Sequence, residues 1–357
     1  MKNVIRDIFP GGNTPLGFYS YYNYILPQRK AQKIFCIKGG PGVGKSTLMK
    51  ELADVFIGRG ENVDIFRCSS DPDSLDGILL RNRNVAVVDG TSPHIIDPVN
   101  PGAVDEIVDL GRFLDTDGLK QEKDKIISCG EMISGMFTAA YGYLKRASVL
   151  YDHIGEMLDN TVCSYNDCIN KTVMSYAGQG TGKGEKRKFF AGAITPDGIK
   201  SCIKSLCGNI DNIFVVNASV GAATGRILEG ISDSLTCSGF DVEEFYCPMK
   251  PDGKPEHIVS EAAGIAVFTV NEYHGTELFK ENRTVIFDDS EAEKSMKGFS
   301  RDVYNKMKMQ IRGDIEDAVS MLREAKEMHD VLESYYIRNI DFKRIKKVKR
   351  EIIAKIE

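Results

Sequence analysis

Two long stretches of the chain match each other at a fixed offset, and this repeat limits the fold more than any other feature. Residues 33–88 align without a gap on residues 212–267, a shift of 179 positions. The identical pairs along this alignment include Gly42 with Gly221, Asp54 with Asp233, Cys68 with Cys247 and Pro72 with Pro251. A collinear set of identities on a shared hydrophobic pattern indicates a tandem duplication. We therefore predict two copies of one fold.

Each copy has the order of segments expected of an α/β fold. Apolar runs at 34–37, 63–67 and 85–88 flank a helical segment at 46–58, and the second copy repeats this with runs at 213–216, 242–246 and 265–268 and a helix at 226–235. Short apolar runs bounded by glycine and separated by helix-length segments are typical of a parallel sheet with crossover helices. Parallel sheets with flanking helices are therefore predicted in both copies.

A long helical section follows each predicted sheet, at 120–176 in the first copy and at 290–357 in the second. Apolar residues recur there at steps of three and four, as on one face of a helix. These helices pack on their own α/β core, or they form a lid or a partner-binding arm. Residues 177–189, rich in glycine and lysine, are predicted to be a mobile connector. The predicted domains are thus 1–176 and 190–357.

The segment between the first apolar run and the first helix reads Gly-Gly-Pro-Gly-Val-Gly-Lys-Ser. It satisfies the phosphate-binding pattern G-x-x-x-x-G-K-[ST], in which glycines let backbone N–H groups converge on a β-phosphate. The lysine reaches the β and γ oxygens and the hydroxyl ligates Mg²⁺. We therefore expect ATP and Mg²⁺ as cofactors. The expected nucleotide-binding residues are Gly39, Gly40, Gly42, Val43, Gly44, Lys45, Ser46 and Thr47.

A second acidic element supports this prediction. The apolar run 85–88 ends in Asp89, and an acid at that edge of a sheet holds the metal through its water shell. Ser46 and Asp89 are therefore the predicted metal residues. The next residue is Gly90, where many ATPases place a glutamate that activates water. Its absence favours slow hydrolysis or phosphoryl transfer over a fast motor.

Lys45, Asp71 and Asp73 are the predicted catalytic residues. The two aspartates follow the second apolar run, at the edge where an acid can meet an acceptor hydroxyl in a P-loop kinase. A solvated acidic turn accounts for Asp71 and Asp73 equally well.

The second copy has lost the residues that carry this chemistry. At the shift of 179, Lys45 falls on Thr224, Ser46 on Gly225 and Asp89 on Phe268. Loss of the lysine, the hydroxyl and the acid together removes the triphosphate and metal contacts. The second copy is therefore predicted to be a degenerate site that stabilises the first copy or supplies residues to it.

Four stretches of the chain resemble a bacterial family of tandem P-loop proteins, generally described as ATPases or nucleotide-kinase-like proteins. They are residues 9–17, 39–47, 68–71 and 89–97. The resemblance extends over nearly the whole chain and implies tandem duplicated P-loop NTPase domains that bind ATP, but it supplies no substrate. The second loop can be intact in such proteins, so Thr224 and Gly225 are a departure from the family.

Three functions stay open at this point. The first is a slow ATPase or ATP-dependent switch. The second is a kinase that transfers the γ-phosphoryl group to a small-molecule acceptor, with Asp71 or Asp73 as the base. The third is a regulator that binds the nucleotide without turnover and acts through a protein partner.

Charge and cysteine content limit the cellular location and the partners that can be expected. The 357 residues carry a formal net charge of -5, which gives no general attraction to nucleic acid or anionic membranes. The first residues lack the apolar run of a signal peptide, and no apolar stretch approaches the roughly 20 residues that span a bilayer. The nine cysteines include no Cys-x-x-Cys pair, as expected of reduced thiols. We expect a cytoplasmic protein without membrane or nucleic-acid partners.

Overall fold

The structure is a computed structural model. It describes residues 3–91, 96–158, 166–222, 224–253, 255–274, 283–288 and 296–357. The first half contains β1 (Ile5–Ile8), β2 (Gly11–Thr14), β3 (Gly17–Ser20), β4 (Lys33–Lys38), α1 (Lys45–Gly58), β5 (Val63–Arg67), β6 (Leu75–Leu80), β7 (Val85–Asp89), β8 (Asp105–Asp109), α2 (Thr116–Gln121), α3 (Lys123–Leu158) and α4 (Asn166–Met174). The second half contains β9 (Lys186–Phe189), β10 (Gly192–Thr195), β11 (Gly198–Ser201), α5 (Ile203–Leu206), β12 (Asn212–Asn217), α6 (Gly225–Cys237), β13 (Val242–Tyr246), β14 (Pro255–Ser260), β15 (Ile265–Val270), β16 (Thr284–Asp288), α7 (Phe299–Ile337) and α8 (Phe342–Ile356).

Two six-stranded mixed sheets, largely parallel, form the centre of the α/β structure. The order is β1-β5-β6-β7-β4-β8 in one sheet and β9-β13-β14-β15-β12-β16 in the other, so corresponding strands hold corresponding places. All six apolar runs predicted as strands are strands, and both predicted helices begin and end within two residues of α1 and α6. The α/β class is confirmed.

The prediction of parallel sheets is confirmed only in part, because one strand of each sheet runs antiparallel to its neighbours. β6 pairs antiparallel with β5 and β7, and β14 pairs antiparallel with β13 and β15. Only four residues separate β6 from β7, which is enough for a hairpin turn but too short for the crossover that parallel neighbours need. Asn84 closes this turn with a positive φ of 52°. Periodicity missed β6 because its residues are buried on both faces and follow an acidic turn.

The predicted connector 177–189 is too long. Its last four residues form β9, which pairs in parallel with β13 from Lys186↔Val242 to Phe189↔Phe245. β1 takes the same place beside β5 in the first sheet. Lys186, Arg187 and Lys188 of this segment are edge-strand side chains, and Lys186 bonds the carboxylate of Asp233 at 2.7 Å. The second half therefore begins at β9.

The two halves share one hydrophobic core. Phe66 of the first half lies against Phe189, whose ring packs in turn on Phe245, with ring centroids 5.7 and 6.2 Å apart. The short hairpins β2–β3 and β10–β11 meet where Phe9 and Phe190 exchange backbone hydrogen bonds of 3.1 and 2.9 Å. Aromatic packing of this kind buries large apolar areas and makes the halves one structural unit.

A buried arginine joins the halves electrostatically. Arg6 on β1 is 1% exposed, and its guanidinium donates five hydrogen bonds of 2.7 to 3.0 Å. Two of them reach Asp64 of the first half, and three reach Glu243 and Glu261 of the second. An arginine offers five N–H donors, so all of them are used. The cluster holds β1, the edge strand of the first sheet, against β13 and the end of β14 in the second.

The carboxylate of Glu243 makes the stability of this cluster acid-sensitive. Burial alone would raise the pKa of Glu243, but the charges of Arg6 and Arg187 outweigh it and lower the pKa from 4.5 to about 2. Below pH 4.5 the Glu243 carboxylate is protonated in the unfolded chain but stays ionised in the folded chain. Its contribution to the free energy of unfolding is therefore present above pH 4.5 and is lost as the pH falls towards 2.

We expect the denaturant midpoint to fall as the pH is lowered from 4.5 towards 2. Glu243→Gln should flatten the dependence, whereas the exposed Glu185→Gln should leave it steep; equal profiles would contradict the assignment.

The long helices α3 and α7 pack mainly on each other. Small and apolar residues of both, among them Ala140, Leu144, Ile311 and Leu322, form one buried cluster. Two contacts show that the helices run antiparallel. Arg146, in the middle of α3, bonds Asp314 on α7. Asp115, which precedes α3, bonds Asn339, which follows α7. The same cluster contains Ile194 and Val220 of the second half, so α7 packs partly on its own half, whereas α3 does not pack on its own core alone. Among the described residues, every helix is too short or too polar to cross a lipid bilayer.

The two shorter helices cross to the opposite half. From the second half, α8 buries Ile345, Val348 and Ile352 in the cluster formed by α1 and β4 of the first. From the first half, α4 buries Ile169 and Val173 in the cluster formed by α6 and β12 of the second. The predicted domains 1–176 and 190–357 thus exchange helices. The predicted domains assign these helices to the wrong sheets. Amphipathic patterning shows that a helix has an apolar face, but it does not show which sheet that face packs against.

Candidate functional site

The glycine-rich segment at 39–46 lies between β4 and the start of α1. Gly42 and Gly44 have φ values of 66° and 88°, a region that side chains other than glycine rarely occupy. Val43 is 1% exposed and fixes the middle of the loop in the core of the first half. α1 begins at Lys45, so its first turn directs backbone N–H groups towards the loop. The local geometry matches the strand–loop–helix order that the sequence predicts.

Lys45 and Asp89 lie close together where the parallel strands β4 and β7 of the first sheet end; we call this carboxyl end of the strands the edge of the first sheet. β4 and β7 are parallel neighbours with Ile37 opposite Asp89, which puts Asp89 beside the loop that follows β4. The ammonium of Lys45 lies 3.7 Å from a carboxylate oxygen of Asp89. The same ammonium donates hydrogen bonds to the carbonyl oxygens of Gly39 and Gly40, at 3.2 and 2.8 Å. A cation and a carboxylate thus meet at a single glycine-rich loop.

The predicted metal residues occupy neighbouring positions at this edge. Ser46, in the first turn of α1, accepts a hydrogen bond of 3.0 Å from the backbone N–H of Leu75. Asp89 accepts bonds from the backbone and the hydroxyl of Thr91. A hydroxyl and a carboxylate are oxygen donors of the kind that Mg²⁺ prefers, so this donor set fits that ion. Thr47 is exposed.

The predicted acidic residues lie around the turn between β5 and β6. Asp71 accepts a hydrogen bond of 2.6 Å from the Ser74 hydroxyl, which is the arrangement of a turn former. Asp73 is exposed in the same turn. Asp71 also lies 3.7 Å from the ammonium of Lys326 on α7. Although burial opposes it, the charges of Asp71 and Asp330 raise the pKa of Lys326.

The end of α7 lies directly over the loop, and sequence reasoning missed it. The backbone N–H of Gly42 donates a hydrogen bond of 3.0 Å to a carboxylate oxygen of Glu333. A methyl group placed on Gly40 would come within 2.7 Å of the Tyr336 ring, and one on Gly42 within 3.0 Å of Ile337. No local pattern singles out Glu333 in a helix rich in acidic residues. Only the crossing of α7 from the second half brings it here.

The corresponding loop of the second half lies under the other long helix. A methyl group on Gly221 would meet the backbone carbonyl of Tyr151 at 2.9 Å, and Gly155 of α3 packs against the same loop. Thr224, at the position corresponding to Lys45, is 3% exposed just ahead of α6. A buried hydroxyl replaces the cation. The predicted loss of the triphosphate contacts is consistent with this environment, and Ala223 lies outside the described residues.

A cavity of about 530 Å³ opens elsewhere, between the two halves. Its walls include Arg6, Arg81, Arg187 and Glu243, whose charges are largely engaged with one another. None of the predicted site residues lines it.

No protein-family model, curated protein or solved structure matches this chain. The feature of this chain that bears most directly on function is the arrangement of Lys45 and Asp89 around the glycine-rich loop.

Proposed function

We propose that the chain is a P-loop NTPase with tandem duplicated domains, of which only the first binds Mg²⁺ and ATP, and that it acts as a slow ATPase or ATP-dependent switch. The observation that carries this proposal is the meeting of Lys45 and Asp89 at the glycine loop between β4 and α1. Lys45 would exchange the carbonyl oxygens of Gly39 and Gly40 for phosphate oxygens. Ser46 and Asp89 would hold Mg²⁺, which neutralises charge on the phosphates.

The contact between Gly42 and Glu333 supports the part of the proposal that concerns binding. Backbone N–H groups at such a loop and at a helix N-terminus favour an anion. In the described structure a carboxylate accepts from one of these N–H groups, as a phosphate oxygen would. The loop therefore has the electrostatic preference that the proposed ligand requires.

The same contact supports a switch. A triphosphate at the loop would compete with Glu333 for the N–H of Gly42 and would need the space that Tyr336 limits beside Gly40. The end of α7 would have to shift when the nucleotide binds. Because α7 packs along the length of α3, which covers the second loop, such a shift would reach the other half. Gly90 in place of a glutamate agrees with slow turnover.

Replacing Glu333 with glutamine tests the competition. Glu333→Gln removes the negative charge that opposes a phosphate, and a hydrogen bond to a charged group contributes ~1.5–3 kcal/mol. We expect ATP affinity to rise by about 10-fold or more, measured by isothermal titration calorimetry with Mg²⁺. The exposed Glu324→Gln on the same helix is the matched control and should change nothing. Unchanged or weaker binding in Glu333→Gln would contradict a competing carboxylate.

The function itself is tested by following the γ-phosphate. The purified protein is incubated with Mg²⁺ and labelled ATP, with and without a mixture of small metabolites. Slow release of phosphate to water, unaffected by the mixture, is the expected result. Label that appears only in a metabolite would replace the ATPase with a kinase. Tight binding with no turnover in either condition would leave a nucleotide-binding regulator.

A further inference from the structure

The second half, which has lost the nucleotide residues, gathers a different set of reactive side chains at the matching edge of its sheet. Cys247 directly follows β13, and His274 follows β15. β14 runs opposite to both strands, so Glu256 near its start lies at the same edge. Cys247 and His274 are 4% and 9% exposed. A thiol, an imidazole and a carboxylate from three neighbouring strands thus meet out of contact with bulk water.

The three side chains are close enough to share one ion. One sulfur, one nitrogen and one carboxylate oxygen lie within 4.8 Å of one another. The His274 Nε2 and a Glu256 oxygen are 2.5 Å apart. The hydroxyl of Tyr151, on α3, lies 3.2 Å from the other Glu256 oxygen and 3.9 Å from the sulfur of Cys247. Zinc takes tetrahedral ligands at about 2.0–2.3 Å, which corresponds to ligand atoms roughly 3.5 Å apart. Small side-chain adjustments would therefore bring these atoms into a coordination shell.

The surroundings of the cluster leave both Glu256 oxygens buried among its neighbours. The Glu256 Oε2 atom pairs with the His274 imidazole, and the other oxygen accepts from the Tyr151 hydroxyl. A metal ion here would replace the ion pair between Glu256 and His274 with bonds from both side chains to itself. A cavity of about 30 Å³ lies beside the cluster, with Tyr151, Cys247 and His274 in its wall. That volume would admit a single ion or water molecule beside Cys247 and His274; much of the remaining wall is apolar, and Glu256 approaches from behind it.

The chemistry of the donors selects the kind of ion. Mg²⁺ and Ca²⁺ take oxygen ligands, so a set that includes sulfur and nitrogen disfavours them. Thiolate, imidazole and carboxylate are the three ligand types of protein zinc sites, and a tetrahedral arrangement of them indicates zinc among the common metals. Three protein ligands leave the fourth position for water or the Tyr151 hydroxyl.

We propose that Cys247, Glu256 and His274 form a zinc site in the second half, facing the small cavity beneath α3. This site is distinct from the proposed Mg²⁺ position at Ser46 and Asp89 and does not depend on nucleotide. Since Tyr151 and Gly155 belong to the part of α3 that covers the second loop, a zinc ion here would fix that helix end in place. The half that has lost one ligand site would thus retain another.

Cobalt provides a direct readout of the proposed sulfur ligand. Chelator-treated full-length protein is titrated with Co²⁺, and we expect a sulfur-to-cobalt charge-transfer band that saturates at one equivalent and disappears when Zn²⁺ is added. Cys247→Ser should abolish the band. The exposed Cys168→Ser on α4 is the matched control and should retain it. Absence of the band in the wild-type protein, or its survival in Cys247→Ser, would overturn the proposal.

A second variant and a stability measurement distinguish the loss of a metal ligand from misfolding of the protein. His274→Gln, checked by circular dichroism, should weaken Co²⁺ binding by at least tenfold while exposed His153→Gln does not. Zn²⁺ should raise the thermal midpoint of the wild-type protein over that in chelator, since an ion that binds only the folded state stabilises it. Lys45→Ala should bind Co²⁺ unchanged, which separates this site from the nucleotide site. If both ligand variants fail to fold, the wild-type band and midpoint shift decide: their presence supports the site, and their absence overturns it.

Discussion

Lys45→Ala is expected to abolish measurable ATP binding and turnover. The ammonium is the cation that would contact the phosphates, and in the described structure it bonds the carbonyl oxygen of Gly40 and lies 3.7 Å from the Asp89 carboxylate. Removing one partner of a buried, hydrogen-bonded charge pair costs ~2–5 kcal/mol, which corresponds to a loss of affinity of about 30-fold to several thousand-fold. Calorimetric titration with Mg²⁺ and ATP measures the affinity, and phosphate release measures turnover.

The chain supplies its own control for this experiment. Thr224 occupies the corresponding position of the second half, so Thr224→Ala makes a similar truncation in the same structural context. It should leave nucleotide affinity and turnover unchanged if only the first site is active. Comparable losses in both variants would rule out the single-site proposal. Thermal midpoints of both variants show that each protein is folded.

Arg6→Met is expected to cause the largest loss of stability. Methionine keeps much of the side-chain volume but removes the cation that bonds both Asp64 and Glu243, leaving Arg81 at 3.8 Å from Asp64 and Arg187 beside Glu243. Removing one partner of a buried ion pair lowers the free energy of unfolding by ~3–5 kcal/mol. A denaturant titration followed by circular dichroism measures this loss.

An exposed arginine gives the comparison for Arg6. Arg59 pairs with Glu357 at 2.6 Å, and both side chains are largely exposed. Exposed pairs contribute ~0–1 kcal/mol, so Arg59→Met should be nearly neutral. The deficit of Arg6→Met should also shrink as the pH falls, because protonation of Glu243 removes a buried negative charge that Arg187 alone then balances. Equal losses in the two variants would disprove the central role of the buried cluster.

Local sequence predicted what depends on local physics. The strand, glycine loop and helix from β4 to α1 follow from an apolar run, glycines and an amphipathic segment, and all three lie where the sequence predicts them. Lys45 and Asp89 meet because parallel neighbours bring their ends to one edge. The strand, loop and helix depend on residues close to each other in sequence, whereas the meeting of Lys45 and Asp89 follows from the general geometry of parallel strands.

The features that could not be predicted from the sequence depend on packing between residues that are far apart in the chain. β6 reads as the continuation of an acidic turn, and only its pairing with β5 and β7 makes it a strand. Glu333 is one acid among many on α7, and its importance comes from where that helix ends. Cys247 and His274 are 27 positions apart and attracted no attention until three strands aligned them. No pattern within a single segment contains this information.

The exchange of short helices also sets an order of events during synthesis. α8 follows β4 by roughly 300 residues, which at 5–20 residues per second is about 15–60 s of translation. During that time the apolar positions of α1 and β4 that α8 covers have no helix over them. α4, by contrast, has left the ribosome before β12 and α6 appear. The second half thus has its covering helix in advance, whereas the glycine loop reaches its final surroundings only when translation has passed both sheets.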